Sequence, residues 1–130
     1  MKLPKSRIRA LALLALAAFW VAAGANHFIN PEFYLQLMPP WIPAHEAMVF
    51  WSGVAEVAGG IAVLIPAWRA RAGVFLILVL IGVTPANLHM ALNPGDFAEL
   101  GPAWVFWVRL PIQVLFGLWA WWATRPDPSA

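Results

Sequence analysis

The one residue here that looks placed for chemistry is a carboxylate in the middle of an apolar run. Residues 49–66 read VFWSGVAEVAGGIAVLIP, and Glu56 is their only charge. At bilayer depth such a group costs at least ~2.5–3.5 kcal/mol on insertion scales, so it faces the protein interior, finds a partner and serves a purpose. The one opposite charge at a comparable depth is Arg109, in the run PAWVFWVRLPIQVLFGLWAWW, and the two are expected to pair. Ser52 lies one turn from Glu56, and Gln113 one turn from Arg109, on the same helix faces. Asn26 and His27 close the first apolar run, and Asn87 and His89 stand in the last turns of the third. Asn26, His27, Ser52, Glu56, Asn87, His89, Arg109 and Gln113 form the candidate ligand-binding set.

A flat lipophile with carbonyl oxygens, such as a quinone, suits that set. Its ring would stack among Phe28, Trp51 and Trp107 while His, Asn and Arg donors meet its oxygens. No other cofactor is indicated, and no catalytic residue is assigned. His27 and His89 would need His45 or Glu46 as a third metal ligand, and none of these pairs has the i, i+4 spacing of a helical metal site, so no metal is expected. The alternative for Glu56 and Arg109 is architectural: an ion pair that fixes helix register.

Such residues can converge only if apolar helices position them. The 130 residues are 62% hydrophobic and 11% charged with nine Trp, too apolar for an ordinary soluble domain. Spans of about 8–29, 45–65, 72–92 and 102–123 each suffice for one crossing at about 20 residues apiece, giving an all-α integral membrane four-helix bundle in a single domain. Prolines at 39, 40 and 43 forbid a regular helix between the first two spans, where residues 33–38 would make an interfacial turn with Tyr34 and Trp41 at headgroup depth. Pro85 falls inside the third span, and Asn93-Pro94-Gly95-Asp96 is a turn. At 1.5 Å per residue, Glu56 lies roughly 16 Å and Arg109 about 10 Å below the outer ends of their helices.

Lys2, Lys5, Arg7, Arg9, Arg69, Arg71 and Arg125 all fall on one side of a four-span arrangement, and the opposite loops carry no Lys or Arg. The positive-inside rule puts that side, with both termini, in the cytoplasm. A cleavable secretory peptide ending before Asn26 is the rival reading of the N-terminus, although the apolar run exceeds the roughly 7–15 residues of such a peptide. The chain has no cysteine, which excludes disulfides and thiolate or thiol redox sites.

Asn26-His27-Phe28 with Pro31, then Met38-Pro39-Pro40-Trp41-Ile42-Pro43, Ser52-Gly53 with Glu56, Arg69, Pro85-Ala86-Asn87 and Arg109-Leu110-Pro111-Ile112-Gln113 resemble the DoxX family of small membrane proteins and its DoxX-like relatives. The likeness runs over all four spans. It implies a four-helix membrane bundle and an accessory place in a membrane redox or quinone-linked system, since DoxX is a subunit of a thiosulfate:quinone oxidoreductase. Some eukaryotic relatives instead assist assembly of membrane receptors. Relatives that work through a thiol offer no guide to a chain without cysteine. The expected partners are the bilayer, a membrane redox protein and a second copy of the chain, with no nucleic acid. An autonomous enzyme is not expected, because no haem or iron–sulfur signature is present. An assembly factor is the alternative, and a channel is disfavoured for want of a continuous polar stripe.

Overall fold

The computed structural model describes residues 2–127, and all their regular secondary structure is helical. Four long helices, α1 (Arg7–Ile29), α3 (His45–Ala62), α4 (Arg69–Leu92) and α5 (Ala103–Thr124), are joined by a short helix α2 (Pro31–Leu35) and a 3-10 segment over Pro94–Leu100. Ser6 caps α1 by accepting the Arg9 amide. Pro31 opens α2 at a position where a missing N–H costs nothing. The three prolines after it keep 36–44 out of helix, as expected.

The helices fall close to the expected spans except on either side of the turn at 63–68, where α3 stops at Ala62, short of residue 65, and α4 begins early at Arg69. Arg69 accounts for the early stop. Its guanidinium donates to the carbonyls of Val63 (2.7 Å) and Leu64 (3.2 Å), which satisfies acceptors left over as α3 ends. Helices α1, α4 and α5 are long and apolar enough to cross a membrane. Helix α3 is not among them, because its 18 residues include His45, Glu46 and Glu56.

The long helices pack α1 on α3, α4 on α5, α3 on α4 and α1 on α5. Across the seam between α1 and α3 the two backbones approach closely. A Cβ on Gly24 would meet the Gly53 carbonyl and the Val57 backbone at 2.7 Å, and one on Gly60 would meet Val21 and Ala17. The start of α1 and the end of α5 lie together at what we term the basic end. There Arg9, which is buried, donates to the carbonyls of Trp122 (2.8 Å) and Arg125 (2.6 Å) and pairs with Asp127 (3.4 Å), capping α5 from the start of α1. Arg125 in turn donates to the Ala70 carbonyl. Just inside this end lies an apolar core of Leu13, Leu16 and Trp20 from α1, Leu76 and Leu80 from α4, Ala120 from α5, and Val63 from the turn after α3. A smaller cluster of Leu37, Met90, Phe97 and Phe106 closes the far end.

Candidate functional site

Between these two apolar clusters the four long helices enclose a cavity of about 310 Å³. Six of the eight candidate residues line it: His27 from α1, Ser52 and Glu56 from α3, Asn87 from α4, and Arg109 and Gln113 from α5. The packing explains the convergence. The glycine seam holds α1 and α3 so close that the Cβ of His27 lies against Gly53, one turn from Glu56.

Glu56 does not pair with Arg109 as its depth suggested. It bonds His27, with 2.7 Å between Oε2 and Nε2, and both side chains are buried. The other ring nitrogen, Nδ1, lies 2.9 Å from the Val49 carbonyl, which can only accept, so Nδ1 carries a hydrogen. One further proton is then shared between Nε2 and the carboxyl. Either an imidazolium donates to a carboxylate or a neutral ring accepts from a carboxylic acid. In both states the pair is electrically neutral.

Tyr34 was expected at headgroup depth but turns inward. Its ring stacks on His27 with centroids 3.9 Å apart, and its hydroxyl accepts from the Asn26 amide at 2.8 Å. Asn26 therefore supports the wall from behind rather than lining it, and it also accepts from Asn30 (2.6 Å). His89 too lies outside the cavity, hydrogen-bonded to Asn93 and edge-on to Phe97.

On the opposite wall Asn87 donates to Gln113 Oε1 (2.6 Å), and Gln113 Nε2 donates to Thr84 Oγ1 and to the Leu80 carbonyl, each at 2.5 Å. These bonds tie α4 to α5 beside Pro85, which has no amide hydrogen for the helix ladder. Thr84 escaped the sequence reading because a threonine in an apolar helix usually bonds its own preceding turn, as Thr84 also does to Leu80 (3.1 Å).

Among the described residues Arg109 has no hydrogen bond or ion pair to protein, and Tyr34 shares the cavity lining with it. The buried indole N–H of Trp20, which also lines the cavity, has no acceptor among the described residues. Ser52 donates to the Met48 carbonyl and keeps its oxygen lone pairs. The aromatic lining is Phe19, Trp20, Tyr34 and Phe116. Phe28, Trp51 and Trp107, the rings expected to stack a ligand, are instead exposed on the outside, which their amphipathic helix positions did not distinguish from the inside.

These features define a class: a small all-helical protein with three helices able to cross a membrane and a polar-lined cavity among its helices. Residues 16–124 match the family described as a domain of unknown function, DUF8561, and the chain belongs to that family. No curated protein and no solved structure matches it.

Proposed function

We propose that this is an integral membrane protein in which all four long helices cross the bilayer, and that its cavity holds a lipophilic molecule with a hydrogen-bonding head. Two observations support the topology. With Arg9 bonded to Trp122, Arg125 and Asp127, the start of α1 and the end of α5 lie at one end, so the number of crossings between them is even and α3 is the fourth. Its 18 residues reach about 27 Å, close to a ~30 Å hydrocarbon core. A belt of large exposed apolar side chains, among them Leu78, Ile81, Val114, Leu115 and Leu118, is suited to lipid. The basic end is then cytoplasmic by the positive-inside rule, and the membrane is the inner membrane of a bacterium.

The observation that carries the binding reading is the cavity itself, apolar with a few convergent polar groups of which Arg109 and Trp20 are unmatched by protein. A quinone is one such molecule, and the DoxX resemblance makes an accessory subunit of a membrane redox system the physiological setting. The His27 and Glu56 bond, complete within the protein, favours a second reading in which the polar residues lock register in an assembly factor.

Native mass spectrometry of gently purified protein tests the choice. A lipophile at one copy per chain, lost when Ala86→Trp fills the cavity but helicity is retained, is the expected result. Wild-type protein that carries no lipophile and accepts none would overturn the binding reading and leave the register reading.

A further inference from the structure

Resting on that binding reading, we infer that the cavity takes a single-chain amphiphile with an anionic head, a carboxylate or phosphate, which enters sideways from the bilayer between α1 and α5 and is held by Arg109. The route comes from the cavity wall. Of its lining residues only Phe19, Arg109 and Ile112 are exposed, and all three stand on α1 or α5, so the mouth opens on that side, toward lipid in the proposed topology.

The charge comes from an inventory of the lining groups. Glu56 and His27 form a neutral pair whichever of them holds the shared proton, so Glu56 is not available to balance Arg109. Arg109 is six residues into α5, about 9 Å below its start, and no carboxylate of the described residues pairs with it. An unbalanced guanidinium in a low-dielectric setting is costly, and an anion offsets that cost. The donors suit one. Arg109 offers a planar fork that matches carboxylate and phosphate, and the Tyr34 hydroxyl of the same lining accepts from Asn26 while its own hydrogen has no acceptor among the described residues. At about 310 Å³ the cavity is at the small end of ligand sites, enough for a head and part of a chain, with the rest leaving through the mouth into lipid.

The test measures binding of palmitate and of palmityl alcohol to the full chain in nanodiscs of phosphatidylcholine, with decylubiquinone as a neutral competitor. Wild type should bind palmitate at one per chain and prefer it to the alcohol, and Arg109→Gln should weaken palmitate about 10- to 100-fold, the effect of a lost charge-assisted hydrogen bond. Arg109→Lys should keep most of the preference. Equal binding of acid and alcohol by wild type overturns the anionic head even if Arg109→Gln fails to fold. Saturable binding of the quinone or the alcohol, indifferent to Arg109, also overturns it while leaving the cavity reading standing. If none of the three probes binds, both fall, and Arg109 is held by bulk headgroup phosphates instead.

Discussion

His27 has few ways to satisfy both ring nitrogens at its depth. Nδ1–H is committed to the Val49 carbonyl, so Nε2 must meet a group that can share or donate a proton, and Glu56 is that group. Glu56→Gln should therefore be mild. Its amide N–H can donate to the neutral Nε2, and the thermal midpoint in detergent should stay near wild type. Glu56→Leu leaves Nε2 buried without a partner and should cost about 1–3 kcal/mol, with His27→Leu in the same chain restoring part of it. Equal losses from both single substitutions would mean that charge, rather than hydrogen bonding, holds the pair. Glu56 was legible in the sequence because a carboxylate in an apolar run has few explanations. Its partner was not, since depth matched it to Arg109, and only the glycine seam and the inward fold of Tyr34 favour His27.

At the scale of elements, that seam is what brings the polar residues of α1 and α3 to one place. Added at Gly53, a Cβ would lie 2.8 Å from the His27 Cβ and 3.0 Å from the Gly24 carbonyl, atoms that cannot swing aside. Gly53→Ala should separate the two helices, cost about 1–3 kcal/mol by overpacking, and weaken ligand binding together with stability. Gly82 of α4 is the control, because nothing lies within 4 Å of its added Cβ. Gly82→Ala should be neutral or stabilising by up to ~1 kcal/mol through helix propensity. Calorimetry of both variants checks this, and equal destabilisation would show that backbone approach is not what the glycines provide. Hydropathy and proline placement made the helices readable to within about three residues. The ends that moved flank the turn at 63–68, where Arg69 at the start of α4 bonds the carbonyls at the end of α3, a contact between elements that no local pattern contains.

At the scale of the molecule, the clustered positive charges admit two explanations that make different predictions. The positive-inside rule reads them as a topology signal, whereas Arg9, Arg69 and Arg125 each bond main-chain carbonyls near helix ends and so also tie the basic end together. The sequence displayed the charge bias and concealed the clamps. Labelling separates the roles, and the absence of native cysteine supplies a clean background. Single cysteines at the exposed positions Pro40 and Ala98 report the far end, and Leu3 and Ala67 report the basic end. In intact bacterial cells a membrane-impermeant maleimide should label the first two and spare the second two until the membrane is opened. A three-crossing chain, with α3 lying on the surface, would place Ala67 with Pro40 and label both, which the bonding of Arg9 to the chain's C-terminal residues argues against. Removing the clamp by Arg9→Met should lower the thermal midpoint while leaving the labelling pattern unchanged, because Lys2, Lys5, Arg7, Arg69, Arg71 and Arg125 keep the charge bias that the positive-inside rule reads. A reversed or mixed pattern in that variant would mean that this one arginine, and not the summed charge, sets the orientation.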